Sequence, residues 1–143
     1  MELIELSNPN FQEETIFIFP EGALTGINLN DIKIYKKLFQ DNYSSKHKII
    51  LGINSYENSK IFNSLVVLDN NANILLKYNK NNLVPFGEFL PFESLLSKLG
   101  IKKITIGYQS YSADKVRKIL NINNIKFLPL ICYEIIYSGG LYK

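Results

Sequence analysis

Five residues carry groups whose chemistry and placement stand out: Glu21, Lys80, Glu88, Cys132 and Glu134. Cys132 is the single cysteine and lies in the apolar run IKFLPLICYEII over residues 125–136. A lone cysteine in such a run usually packs as a small apolar side chain. Two details argue for more. The run reads as a buried strand, and Cys132 stands toward its C-terminal end, where open α/β sheets present reactive groups. Glu134 follows two residues on, and carboxylates are rarely buried without a partner or a task. A nucleophilic thiol needs a base, and it needs positive charge or N–H donors where an oxyanion forms. The single histidine, His47, sits at the Lys-rich entry to a strand and reads as a surface residue, so the base for such a thiol would be a carboxylate.

Glu21 follows Pro20 at the end of IFIF, beside Gly22. Taken by itself it is a solvated turn carboxylate. Lys80 ends a β-rich run and taken alone is an edge lysine. Glu88 lies in a loop with two prolines and a glycine, NNLVPFGEFLP over residues 81–91, where simple exposure is the ordinary outcome. It is as a group that these positions point to Cys–Glu–Lys chemistry.

The elements that would position them follow from periodicity and turn residues. Residues 14–19 (ETIFIF) predict a strand feeding the Pro-Glu-Gly turn. Residues 28–43 place Ile32, Tyr35, Leu38 and Phe39 at helical spacing. Residues 48–56, 61–69 and 73–80 read as three strands, the last two joined by a hairpin turn at 69–73. Pro91 can open a short helix closed by Gly100, and 112–120 reads equally as helix or loop. Strands interleaved with short helices predict a layered α/β protein.

Composition bounds the rest. With 46% hydrophobic and 20% charged residues, the chain is apolar enough to fold around a core. The net charge of +3 is dispersed, with no basic stripe or motif for nucleic acid. No run reaches the roughly 20 apolar residues of a membrane-spanning helix, and the N-terminus has no secretory pattern. A single cysteine excludes an internal disulfide and a zinc site of paired thiolates.

Three segments, FPEGAL (19–24), YNKNNLVPFGEFLP (78–91) and PLICYEIIY (129–137), resemble, in order, signature blocks of the nitrilase superfamily of carbon–nitrogen hydrolases. The superfamily's Glu-Lys-Cys triad falls on Glu21, Lys80 and Cys132. LVPFGEFLP after the lysine, GYQSYS (107–112) and Glu rather than Asp at 134 resemble the apolipoprotein N-acyltransferase family within it. The resemblance implies an αββα sandwich and an acyl-enzyme reaction. Glu21 would deprotonate Cys132, which attacks a phospholipid ester, while Lys80 and the following main-chain N–H hold the oxyanion. The resulting thioester would pass its acyl group to the N-terminal amine of a lipoprotein's diacylglyceryl-cysteine. Glu88 and Glu134 would hold Lys80 and its loop, and neither metal nor organic cofactor is called for. The resemblance also implies the bacterial inner membrane, with the catalytic domain facing the periplasm. A soluble amidase using water in place of the amine, and an inactive remnant, are the competing expectations.

The sequence departs from that pattern in three ways. Phe19 stands where the family usually has Trp. No membrane-spanning segment precedes the first block. The superfamily's domain continues for roughly another hundred residues beyond the nucleophile. Residues 1–143 therefore read as a partial carbon–nitrogen hydrolase domain, incomplete at the C-terminus, expected to have little or no activity alone, as a fragment of a split or decaying gene or as one half of a two-chain enzyme.

Overall fold

The computed structural model describes residues 2–24, 26–92 and 110–140. A short helix α1 (Glu2–Ser7) precedes strand β1 (Thr15–Ile18). A 3-10 helix (Leu29–Tyr35) runs directly into helix α2 (Lys36–Asn42). Strands β2 (His47–Glu57), β3 (Lys60–Leu68) and β4 (Ile74–Asn79) follow. A small hairpin of β5 (Leu120–Ile122) and β6 (Ile125–Phe127) leads to a closing 3-10 helix, Cys132–Gly140.

The main sheet has the order β1-β2-β3-β4, with β1 parallel to β2 and the other pairs antiparallel. Strand residues alternate between its two faces, and both faces are covered. On one face Ile49, Leu51 and Ile53 of β2, with Val66 and Leu68 of β3, pack against Leu29, Ile32, Phe39 and Tyr43 of the helical layer. On the other, Ile50 and Val67 meet Ile122 of the hairpin, while Tyr78 meets Leu120 and Ile131. Ile49, Val66, Val67 and Leu68 are fully buried, each worth about 1.5–3 kcal/mol of apolar transfer. The order helix, sheet, second sheet is that of a nitrilase-like sandwich seen in part.

Turn chemistry fixes the register. Asn58 and Ser59 close β2 onto β3 with both residues at positive φ (48° and 62°), the two-residue turn that matches strand twist. Asn123 and Asn124 do the same between β5 and β6. At the predicted 69–73 turn, the Asp69 carboxylate accepts from the backbone N–H of Asn71 and Asn73, each at 2.8 Å.

Two expectations are corrected. The apolar run 125–136 is not one buried strand: β6 stops at Phe127, and a loop carries the chain to Cys132, which opens a helix. The Asn123–Asn124 turn spends the apolar residues on both arms of a hairpin. His47 is fully buried, not on the surface. It shares a β2 face with Ile49 and Leu51, and its ring lies 5.2 Å from that of Phe17 and 6.0 Å from that of Tyr43. Nδ1 accepts from the Ser44 N–H at 3.1 Å, so Nε2 carries the hydrogen given to the Asn10 carbonyl at 2.9 Å. That is a structural role. Of the two readings of 112–120, the loop holds up to β5, because residues 111–114 are drawn out straight by main-chain bonds to other segments. The helix expected from Pro91 to Gly100 lies outside the described residues beyond Phe92.

Candidate active site

Glu21 is delivered by β1. After Ile18 the chain keeps one more ladder bond, Phe19 N–H to the Ile50 carbonyl at 2.9 Å, then turns through Pro20 and Gly22. The turn lies close against β2 at Gly52, where a Cβ would stand 3.3 Å from the Glu21 Cα. Glu21 itself is exposed, and its Oε1 accepts a hydrogen bond from the Asn63 side-chain amide at 2.8 Å.

Lys80 follows β4 directly. Its backbone N–H donates to the Asn63 carbonyl at 2.9 Å, continuing the β3–β4 ladder, so the two residues face each other across the strands. The side chain is 1% exposed. An ammonium so deeply buried needs a paired anion. Glu88 supplies it, with Oε1 2.9 Å and Oε2 2.8 Å from Nζ. The loop folds around this carboxylate: the Val84 N–H donates to Glu88 Oε2 and the Glu88 N–H donates back to the Val84 carbonyl.

The Asn63 amide joins the two halves. Its Nδ2 donates to Glu21 Oε1 and also to Glu88 Oε1 at 3.1 Å. Residues 110–114 lie across the open end of these strands. The Tyr111 N–H donates to the Glu88 carbonyl, and the Asp114 N–H to that of Lys80. The Tyr111 hydroxyl donates to Asn54 Oδ1 at 3.0 Å. Burial pushes that phenol up, the Asn54 bond opposes, and the charges of Glu88 and Glu21 push it up further, so it stays protonated.

Cys132 is an exposed, free thiol on a residue with φ of +52°. The left-handed region is sparsely occupied by non-glycine residues, and persists only where surroundings enforce it. Glu134 enforces it here. This carboxylate is fully buried and accepts from the Ile131 N–H at 2.9 Å, while its own N–H donates to the Ile131 carbonyl. Its remaining acceptor sites take the Tyr78 hydroxyl at 2.9 Å and the N–H groups of Asn81 and Asn82 at 2.8 and 3.1 Å. Burial, then the charge and hydrogen bond of Glu134, hold the Tyr78 phenol far above its ordinary range, as a permanent donor. Glu134 therefore ties the Cys132 turn to the residue after Lys80.

The structure thus links Glu21, Lys80 and Glu88 through side chains, and joins Cys132 to them through Glu134. Glu134 acts on the Cys132 turn and on Asn81 and Asn82 rather than on Lys80 itself. Sequence reading passed over Asn63, Tyr78 and Tyr111. Asn63 had left only a partial signal: a hairpin turn at 69–73 pairs Leu68 with Ile74 and by counting sets Asn63 opposite Asn79, and the register shift between Val67 and Leu68 moves it opposite Lys80. Among the described residues no cluster of three or more His, Cys, Asp or Glu is arranged to hold a metal ion. No described helix is long and apolar enough to cross a membrane.

With this geometry in place, the class is plain. The chain belongs to the carbon–nitrogen hydrolase family, which it matches over residues 11–143. Curated relatives carry the name apolipoprotein N-acyltransferase. One from Bradyrhizobium diazoefficiens is 42% identical over 82 residues, covering 57% of this chain and 15% of the relative. Another, from Rhizobium rhizogenes, is 34% identical over 133 residues, covering 88% and 25%. A third, from Wigglesworthia glossinidia brevipalpis, is 31% identical over 150 aligned positions, covering 99% and 29%. The chain thus spans less than a third of the length of these relatives.

Solved structures show the same fold. A glutamine-dependent NAD+ synthetase from Acinetobacter baumannii aligns over 98% of this chain and 25% of its own, with a TM-score of 0.59 and 18% identity. XC1258 from Xanthomonas campestris, a CN-hydrolase superfamily protein, aligns over 95% of this chain and 46% of its own, with a TM-score of 0.56 and 15% identity.

Proposed function

We infer that this chain carries the nucleophile half of an N-acyltransferase reaction, in which Cys132 takes an acyl group from a phospholipid and passes it to the N-terminal amine of a diacylglyceryl-cysteine lipoprotein. The observation that carries the reading is the joined group Glu21–Asn63–Glu88–Lys80, with the Cys132 turn fastened beside it. The name shared by the relatives supports the choice of donor and acceptor.

In this reading Glu21 takes the thiol proton and the thiolate attacks the ester carbonyl. The buried Lys80 ammonium and the Tyr133 N–H face the negative charge that develops on oxygen. The C–O bond breaks, the lysophospholipid oxygen leaves with the proton from Glu21, and a thioester remains on Cys132. The acceptor amine attacks the thioester, Glu21 takes its proton, and the thiolate is released. Glu88 stays paired with Lys80 throughout, which keeps the ammonium aimed. The partners of this reading are the phospholipid donor and the lipoprotein acceptor, at the periplasmic face of the inner membrane.

The test uses the chain with a fluorescent phospholipid, followed by mass spectrometry of the Cys132 peptide. Acyl mass on Cys132 that is lost in Glu21→Ala and Lys80→Ala, and released by a diacyl-lipopeptide amine, is the expected result. Release by water at an equal rate, with simple amides turned over, would replace the transferase with an amidase. No acylation with any donor, although the chain melts cooperatively, would sink both and leave an inactive remnant.

A further inference from the structure

The acid–base reading above uses Glu21, Lys80 and Cys132, and leaves unexplained why one side-chain amide lies between two carboxylates. Asn63 is 9% exposed, on a strand whose neighbouring residues are buried. An amide has two N–H hydrogens, and both are committed here: Nδ2 lies 2.8 Å from Glu21 Oε1 and 3.1 Å from Glu88 Oε1. Both acceptors must be unprotonated at those oxygens for this arrangement to exist. Glu88 Oε1 is shared, since the Lys80 Nζ donates to it as well. The charged groups around Glu21 are thus Glu88 and Lys80, reached through Asn63 and its cross-strand partner. Two neutral phenols, Tyr111 and Tyr56, lie on the elements packed beside them.

Two consequences follow from elementary hydrogen bonding. A donor fixed on Oε1 of Glu21 makes that oxygen the weaker proton acceptor and leaves Oε2 the favoured one, so the base has a preferred edge. A donor shared with Glu88 also keeps the two carboxylates from repelling each other into separate positions, one near Lys80 and one swung into solvent. Glu21 is exposed and sits on a glycine-containing turn, so without this tether nothing among the described contacts fixes its side chain.

We propose that Asn63 is a positioning residue for proton transfer: its amide holds Glu21 by Oε1 so that the Cys132 proton is received at Oε2, while it keeps Glu88 on Lys80. In that step the S–H bond breaks, an O–H bond forms at Glu21 Oε2, and the electron pair left on sulfur makes the bond to the substrate carbonyl. Asn63 touches neither substrate nor sulfur and acts only through the two glutamates. The inference rests on the assignment of Glu21 as base, and its test separates the two.

The experiment follows the rate of Cys132 alkylation by iodoacetamide from pH 5 to 9, by mass spectrometry, in the chain itself and in Asn63→Leu, Asn63→Asp, Glu21→Gln and the Asn63→Leu/Glu21→Gln double variant, with a melting curve for each. Leu keeps the branching of Asn without the amide, at a larger volume, and Asp matches its shape while adding a negative charge. The expected result is a roughly tenfold or greater slowing in Asn63→Leu, with the acid limb of its profile moved up by about one pH unit, because a carboxylate that loses a donor holds its proton more tightly. Asn63→Asp moves the limb the same way, and it carries the test if Asn63→Leu does not melt cooperatively. In the Glu21→Gln background the Asn63→Leu change adds less than twofold, since the residue it acts through is gone.

Asn63→Leu slowing alkylation equally in both backgrounds, in step with a lowered melting point and with an unmoved acid limb, would make Asn63 a packing residue and overturn the proposal. An unchanged rate and profile in both Asn63 variants, with Glu21→Gln still slow, would overturn it while leaving Glu21 as base. A rate unaffected by Glu21→Gln would remove the base, and the role of Asn63 with it.

Discussion

The two halves of the site are held by opposite means. Around Glu21, Lys80 and Glu88 the fixed parts are side chains on strand ends, and the bonds between them run between side chains. Around Cys132 the fixed part is a backbone turn, and one buried carboxylate, Glu134, grips it largely through main-chain N–H groups. The difference suits the task proposed for each half. A base and an ammonium must keep a set charge, which calls for counter-charges and directed donors. A nucleophile must be presented at one angle, which calls for a conformation the chain would not otherwise keep. The first half should therefore fail by losing charge control, and the second by losing shape.

The hardest blow to this contrast is Glu134→Ala. It strands the N–H groups of Ile131, Asn81 and Asn82 and leaves the Tyr78 hydroxyl only the Asn81 Oδ1 at 2.7 Å, and a loss of about 4 kcal/mol is expected in chemical denaturation. In this variant Cys132 labelling becomes independent of Glu21. Glu88→Gln comes next. It leaves an ammonium of 1% exposure without its carboxylate, at a cost of about 3 kcal/mol. Here the Cys132 turn should stay protected in hydrogen exchange while labelling slows, the reverse of the Glu134 result. Cys132→Gly sharpens the comparison with the opposite sign. Glycine accepts φ of +52° freely, so the chain gains about 1 kcal/mol in the same assay and loses all labelling.

The smallest effect belongs to a control at the other end of the sheet. Burial opposes ionisation of Asp69, yet bonds from Asn73 and Asn71 hold its carboxyl below the usual carboxylate range. A depressed folded-state value means stability that is present above the unfolded value and lost as pH falls through the folded one. Denaturation midpoints should therefore decline over that acid window and flatten in Asp69→Asn, with Cys132 labelling at neutral pH unchanged.

Most of the sheet could be read in advance because its signals are local. The strands at 14–19, 48–56, 61–69 and 73–80 became β1 to β4 with ends moved by a residue or two, as alternation and turn residues are both short-range. The run at 125–136 misled because an apolar stretch does not announce where it bends, and the bend at Cys132 depends on Tyr78, Asn81 and Asn82 some 50 residues earlier. His47 misled because its lysine neighbours were weighed and its parity with Ile49 and Leu51 was not. The helical layer was legible as a layer, though not its division into a 3-10 turn and α2. The grouping of Glu21, Lys80 and Cys132 came from the three signature blocks together, since each is commonplace alone. Register counting reaches Asn63 only to within one residue, because the shift between Val67 and Leu68 is not announced, and it does not reach Tyr111, whose place is set by bonds to Ile61, Glu88 and Lys80 from the segment it belongs to.

The two-residue turn at Asn58–Ser59 has a consequence for the time order of assembly. It closes β2 on β3 with almost no chain to draw in, so this hairpin has the lowest entropic cost of any pairing in the sheet. β4 joins across another short turn, and Asn63 and Lys80 then face each other before any distant segment is needed. Glu134 must instead find Tyr78 across 56 residues. A chain emerging from the ribosome thus builds the charged half of the site while Cys132 is still unsynthesised, and the thiol reaches its working angle last. During synthesis the sulfur is therefore placed only after the charged group beside it has been assembled.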